Sequence, residues 1–189
     1  DTAEARSILR DAVRLLPQRT AQVEINCDGR MKISAGGSFL TCLDGTNRSA
    51  RIISVSNGKD LPQSRVSETR EIATVDTSPN GKFIGIGLRQ GGFKLIDAES
   101  GRAVISENRG VDAAVAFSAN GRLFAASIVD QATTTIHVMT ISDNVTPAYT
   151  LKVGHPVLGL TLSPDGAFLA ALHQGSLNTE ITIFDLASR

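Results

Sequence analysis

Apolar and polar residues alternate around four short turns that recur along the chain. Apolar or β-branched residues stand three positions and one position before the serine that opens each turn: Met31 and Ile33, Val75 and Thr77, Val115 and Phe117, Leu160 and Leu162. A period of two is expected of a strand that buries one face. A large apolar residue follows two positions after the glycine of each turn: Phe39, Phe83, Leu123 and Phe168. The pattern predicts four hairpins, with these last four side chains equivalent and each buried between neighbouring sheets.

The four turns share a composition that favours a tight reversal of the chain. They read Ser34-Ala35-Gly36-Gly37, Ser78-Pro79-Asn80-Gly81, Ser118-Ala119-Asn120-Gly121 and Ser163-Pro164-Asp165-Gly166. Proline presets φ, asparagine or aspartate tolerates the next position, and glycine adopts a positive φ. The closing glycines are 44, 40 and 45 residues apart. Propeller blades repeat at about 40–45 residues, whereas helical-hairpin repeats are shorter.

A second strand motif follows each hairpin. Residues 50–58 align without gaps with residues 93–101, and 136–140 and 181–185 repeat the first five positions. Short β-prone runs then follow at 103–106 and 148–153. The unit is therefore four short strands in about 43 residues. This predicts an all-β propeller segment of four four-stranded blades, at about 20–58, 59–101, 102–144 and 145–189, after an N-terminal piece at 1–19.

These repeats resemble the WD-repeat β-propeller family over about residues 20–189. Residues 78–84 match the family's Ser-Pro-Asp-Gly hairpin motif, with its basic residue and apolar pair, and Gly154-His155 matches its Gly-His pair. The family's Trp-Asp pair falls on Ile53-Ser54, Ile96-Asp97, Met139-Thr140 and Phe184-Asp185, so tryptophan never appears and aspartate is kept twice. The resemblance implies a propeller that presents its loops to partners.

The N-terminal residues follow a different pattern. Apolar side chains recur at helical spacing before Pro17, at Ala5, Ile8, Leu9, Ala12, Val13 and Leu16. This predicts an amphipathic helix over 3–16, and residues 21–25 are interpreted as the outer strand of the first repeat. The helix either covers one end of the propeller or ends a preceding helical region. Its junction with the first blade resembles that of large bacterial proteins in which a STAND-type NTPase, a protease or a caspase-like effector precedes WD repeats.

Charge and hydropathy narrow the possible partners and the location of the protein. Nineteen basic residues balance nineteen acidic ones, which argues against nucleic acid as the partner, and no apolar run is long enough to cross a membrane. We therefore expect a cytoplasmic protein.

Cys27 and Cys42 are too few for a disulfide framework and are interpreted as small, partly buried hydrophobes. A disulfide or a reactive thiolate is the alternative.

The sequence offers little that could carry chemistry. His137, His155 and His173 are 18 residues apart, a spacing that does not place them on one face, so we interpret them as structural. The glycines at 85, 87, 91 and 92 are interpreted as small residues where blades taper inward. The innermost strands contain only Lys32 and Asp76 as ionisable residues. We therefore expect no enzymatic activity, catalytic residue, cofactor or metal.

Three functions compete. The leading hypothesis is a non-catalytic protein-interaction, scaffold or sensor module of a larger bacterial signalling or defence protein. The alternatives are a propeller enzyme of the lactonase or quinoprotein type and a purely structural oligomerisation segment. Charged residues concentrate in turns, at Arg89, Glu99, Arg102, Glu107, Arg109, Asp130 and Asp143, where they are either solvated or available to a partner. Four blades rarely close a propeller, so we expect further repeats of the same protein, or a second copy of it, to complete the propeller.

Overall fold

The computed structural model describes residues 27, 29–61, 64–130, 133–142, 144–175 and 177–188. The predicted N-terminal helix and the predicted strand at 21–25 lie outside these residues. The regular secondary structure of the described residues consists of β-strands alone. They are β1 (Met31–Ile33), β2 (Phe39–Leu43), β3 (Ser49–Ser54), β4 (Val66–Ser67), β5 (Ile72–Thr77), β6 (Phe83–Leu88), β7 (Phe93–Asp97), β8 (Ala103–Glu107), β9 (Val115–Phe117), β10 (Leu123–Asp130), β11 (Thr133–Ile141), β12 (Val145–Val153), β13 (Val157–Leu162), β14 (Phe168–Gln174) and β15 (Thr179–Asp185).

The strands form four separate antiparallel sheets in chain order. The first sheet is β1-β2-β3-β4, the second β5-β6-β7-β8, the third β9-β10-β11-β12 and the fourth β13-β14-β15. Each strand pairs with the next one along the chain, so every sheet is a meander. The sequence repeats are offset from the sheets by one strand, because β4, β8 and β12 fall in the repeat that follows the sheet they complete.

Side chain–backbone hydrogen bonds hold the predicted hairpin turns. The backbone N–H of Phe83 donates to Ser78 Oγ at 2.9 Å, and the N–H of Lys82 donates to Asn80 Oδ1 at 3.0 Å. Gly81 closes the turn at a φ of 72°. The same bonds recur in the third and fourth sheets with Ser118 and Asn120 and with Ser163 and Asp165. The hairpins predicted from sequence are confirmed.

The sheets pack face to face in a propeller-like array, with an apolar layer between each successive pair. Ile52 meets Ile84 and Ile86 between the first and second sheets. Phe93 and Leu95 meet Phe117 and Phe124 between the second and third. The third and fourth sheets enclose a cluster that includes Ile136, Val138, Leu160 and Leu169. This repeated sheet-on-sheet packing supplies the hydrophobic stabilisation of the described chain.

The four large side chains after the turns are not equally buried. Phe83 is 5% exposed, Phe39 and Leu123 are half-buried, and Phe168 is 48% exposed. The prediction that all four lie buried between sheets was therefore wrong for Phe168. In the described chain each of the other three belongs to a sheet followed by another sheet, whereas Phe168 belongs to the last one.

The glycines at 85 and 87 are needed for a different reason from those at 91 and 92. A Cβ at Gly85 would collide with the ring of Phe124 in the third sheet, and a Cβ at Gly87 would collide with the carbonyl oxygen of Ala113. These two glycines therefore allow close approach of neighbouring sheets, as predicted. Gly91 and Gly92 have φ angles of 98° and 71°, so the β6–β7 turn requires them for its backbone conformation.

Cys27 and Cys42 form a disulfide with a Cα–Cα distance of 5.8 Å. The interpretation of these residues as small, partly buried hydrophobes was wrong, and the alternative of a disulfide is confirmed. Cys42 pairs with Met31 across the β1–β2 hairpin, so the chain just before β1 lies within reach of β2. No helix of the described chain is long and apolar enough to span a membrane.

Candidate functional site

The first strands of the four sheets line one cavity. It measures about 290 Å³ and is bordered by Arg30, Met31, Lys32, Leu43, Ala73, Thr74, Val75, Ala114, Val115, Gly159 and Leu160. Strands β1, β5, β9 and β13 therefore converge along one side of the array. Most of the lining residues are apolar, and Arg30 and Lys32 place positive charge near β1.

Lys32 and Asp76, the two ionisable residues of the inner strands, meet in this region. Lys32 Nζ lies 3.1 Å from Asp76 Oδ2. The backbone N–H groups of Phe117 and Thr77 also donate to the Asp76 carboxylate, at 3.1 and 2.9 Å. Burial raises the pKa of Asp76, while Lys32 and these donors act in the opposite direction. Asp76 thus joins three sheets, because its partners come from the first, second and third.

Two of the three histidines, His155 and His173, lie together although they are 18 residues apart in the sequence. The rings of His155 and His173 stack with centroids 5.7 Å apart, because pairing of Val157 with His173 brings residue 155 beside β14. His173 is buried, with Nε2 2.8 Å from Thr182 Oγ1, and its Nδ1 has no hydrogen-bond partner among the residues that the structure describes. His137 instead lies beside Phe93. In the described residues no three His, Cys, Asp or Glu side chains gather as metal ligands would.

A second, polar cavity lies at one end of the sheets. It measures about 380 Å³ and is lined by Arg48, Thr69, Arg70, Glu71, Arg89 and Gln90. These residues come from the β2–β3 turn, the β4–β5 connection and the β6–β7 turn. We call this surface the arginine end. Three guanidinium groups on loops of two neighbouring sheets therefore surround one concave surface.

Only one of the three arginines at this end has carboxylate partners among the described residues. Arg89 lies 2.9 Å from Glu71 and 3.2 Å from Asp112. Arg70 donates from a guanidinium nitrogen to the carbonyl oxygen of Gln90 at 3.3 Å. The Arg48 guanidinium makes no salt bridge or hydrogen bond in the described structure. The arginine end therefore carries positive charge that the described residues do not neutralise.

The position of Arg70 depends on a glycine. A Cβ at Gly91 would collide with the Arg70 guanidinium, which lies over the β6–β7 turn in the space that a side chain at residue 91 would take. One exposed hydrogen bond, from the guanidinium to the carbonyl oxygen of Gln90 at 3.3 Å, joins Arg70 to this turn.

The sequence singled out Arg89 but missed Arg48 and Arg70. These residues are about 20 positions apart, and only the stacking of the first two sheets brings them to one surface. Of the other turn charges, Arg109 pairs with Glu107 at 3.1 Å in the next connection. Glu99 and Arg102 lie in or beside the β7–β8 turn, at the opposite end of the second sheet; Asp130 ends β10, and Asp143 is outside the described residues.

Comparison with known proteins supports the fold and nothing finer. No protein-family model matches the chain, and no curated protein matches it. The chain is similar in structure to Kuenenia stuttgartiensis hydrazine synthase, with a TM-score of 0.64 and 15% sequence identity. The similarity covers 90% of this chain and 50% of that one, so the chain spans half the length of its structural neighbour.

Proposed function

We propose that the chain is a non-catalytic protein-binding module, a WD-repeat-type propeller segment whose arginine end binds an acidic segment of a partner protein. The observation that carries this proposal is the concave surface bearing Arg48 and Arg70, whose guanidinium groups lack carboxylate partners in the described chain. Guanidinium groups bind carboxylates through paired, charge-assisted hydrogen bonds. A peptide rich in Glu or Asp would supply them.

The surroundings of these arginines favour an acidic peptide over nucleic acid. Glu71 lines the same cavity, and Asp112 lies beside Arg89, so the surface is mixed in charge. The whole chain is also neutral, whereas phosphate backbones are bound by a broad basic surface. A short acidic segment needs only a few cations at one place.

The inner cavity supports a non-catalytic role. Its ionisable groups are Arg30, Lys32 and the adjoining Asp76. The Asp76 carboxylate accepts hydrogen bonds from backbone N–H groups of two sheets. Arg30 donates to the carbonyl oxygen of Ile72 at 3.2 Å. These contacts hold sheets together, and the described lining of the cavity offers no free acid–base pair to a substrate.

The cellular setting is part of the proposal. The resemblance of the N-terminal junction supports a place in a larger bacterial signalling or defence protein. The disulfide between Cys27 and Cys42 favours an oxidising compartment over the cytoplasm expected from the sequence, because cytosolic thiols are kept reduced. We therefore propose that the module works outside the reducing cytoplasm.

The test measures peptide binding by fluorescence anisotropy. A labelled Glu/Ser peptide should bind the 189-residue chain, whereas a Lys/Ser peptide of equal length should not. Arg48→Glu/Arg70→Glu should weaken binding at least about tenfold, since charged hydrogen bonds contribute roughly 1.5–3 kcal/mol. Arg102→Glu/Arg122→Glu is the matched control, because it also reverses two arginine charges, in the β7–β8 and β9–β10 turns at the opposite end of the sheets. Equal binding of both peptides, or equal loss in the control, would overturn the proposal.

A further inference from the structure

The chain just before β1 is fastened to the end of β2. The Cys27–Cys42 disulfide is the covalent link, and the backbone N–H of Leu43 donates to the carbonyl oxygen of Arg30 at 2.9 Å. A Cβ at Gly29 would collide with the carbonyl oxygen of Leu43, so the two backbones are in direct contact there. We call residues 27, 29 and 30 the anchored segment. It lies where β2 leads into the β2–β3 turn, which belongs to the arginine end.

The turn that carries Arg48 begins against the anchored segment. Asp44 directly follows β2, and a Cβ at Gly29 would collide with its carbonyl oxygen as well. The Asp44 carboxylate accepts hydrogen bonds from the backbone N–H of Arg48 at 2.9 Å and from that of Ser49 at 3.2 Å. The backbone at Arg48 is therefore held by a residue that is itself packed against the anchored segment.

The anchored segment also reaches the connection that carries Arg70. The Arg30 guanidinium donates to the carbonyl oxygen of Ile72 at 3.2 Å, and Ile72 lies two residues after Arg70. The backbone N–H of Ile72 in turn donates to the carbonyl oxygen of Asn47 at 2.7 Å, and Asn47 is the residue before Arg48. One short network of hydrogen bonds thus connects the anchored segment with the backbones of both arginines.

The disulfide gives this network two chemical states. When it forms, the thiols of Cys27 and Cys42 give up two protons and two electrons to a disulfide-containing oxidant, whose own S–S bond breaks to two thiols. A dithiol reductant reverses the exchange, becomes the disulfide itself and leaves two thiols on the chain. The cross-link closes a loop with a sequence separation of 15, and by chain entropy it changes an equilibrium constant by up to about a hundredfold. Reduction therefore leaves the anchored segment only its non-covalent contacts with β2.

We propose that this disulfide is a redox switch for the arginine end, which binds acidic peptides tightly in the oxidised chain and weakly in the dithiol chain. The inference rests on the proposed function and adds its regulation. In the oxidised chain the anchored segment holds the backbones that carry Arg48 and Arg70, so binding loses less conformational entropy. In the dithiol chain, binding must also order the β2–β3 turn and the β4–β5 connection. The module would then bind its partner only after it reaches an oxidising compartment.

Amide hydrogen exchange of the 189-residue chain, without any ligand, tests the coupling between the disulfide and the arginine end. After reduction by dithiothreitol, the backbone N–H groups of Asp44 and Ile72 should exchange at least about tenfold faster. Those of Asp97 and Ala113 are matched controls, because they make the corresponding backbone hydrogen bonds in the β7–β8 turn and the β8–β9 connection. Their exchange should not change. Unchanged exchange of Asp44 and Ile72, or equal acceleration of the controls, would overturn the proposal.

Fluorescence anisotropy with the labelled Glu/Ser peptide measures the consequence for binding. Oxidised wild type should bind the peptide at least about tenfold more tightly than wild type in dithiothreitol. Cys27→Ala/Cys42→Ala should bind it weakly and equally in both conditions, which excludes a direct effect of the reductant. Faster exchange of Asp44 and Ile72 with an unchanged affinity of wild type would overturn the switch. If neither redox state binds the peptide, the proposed function fails, and the exchange result alone decides whether the disulfide is coupled to the arginine end.

Discussion

Loss of the Cys27–Cys42 disulfide should lower the stability of the chain by about 3 kcal/mol. The bridge closes a loop with a sequence separation of 15. In the chain-entropy treatment, a loop of that length removes about 3 kcal/mol of conformational freedom from the unfolded state. A domain of this size loses roughly 2–4 °C of Tm per kcal/mol, so reduction should lower Tm by roughly 6–12 °C.

The assay is urea unfolding of wild type and Cys27→Ala/Cys42→Ala, each with and without dithiothreitol. Wild type should lose stability in reductant, whereas the double variant should be indifferent to it. Comparing one chain in two redox states separates the cross-link from packing, since Cys42 is buried and its replacement alone costs contacts. Two titratable thiols in the unreduced wild-type chain, or no effect of reductant, would refute the reasoning.

Two further predictions concern the packing and the inner ion pair. Phe83→Ala should cost about 3–5 kcal/mol in urea unfolding, because the side chain is buried, and Phe168→Ala should cost much less, because that side chain is half exposed. Equal losses would contradict the packing described. Burial raises the pKa of Asp76, so its contribution to stability is full below the unfolded pKa and is lost as pH rises through the folded pKa. The unfolding free energy of wild type relative to Asp76→Asn should therefore fall from acid to neutral pH, and a rise would show that the Lys32 ion pair outweighs burial.

Local chemistry made much of the fold predictable from the sequence. The turn at 78–81 forms from the serine, asparagine and glycine that compose it, and its hydrogen bonds span no more than five residues. The alternation around Val75 and Thr77 likewise predicts a strand, but Asp76 between them is buried as well, so the alternation does not identify a single buried face. The hydrogen bonds of the turns are encoded within a few positions, so hairpins and their repetition follow from composition and spacing.

Only the tertiary structure decided which distant residues meet. The Cys27–Cys42 pairing, the stacking of His155 on His173 and the gathering of Arg48 with Arg70 each depend on strand register or on how neighbouring sheets stack. The sequence treats Phe83 and Phe168 alike, because both follow the same turn motif. Their burial differs because the first is covered by a following sheet and the second lies at the end of the array, a difference that local sequence cannot encode.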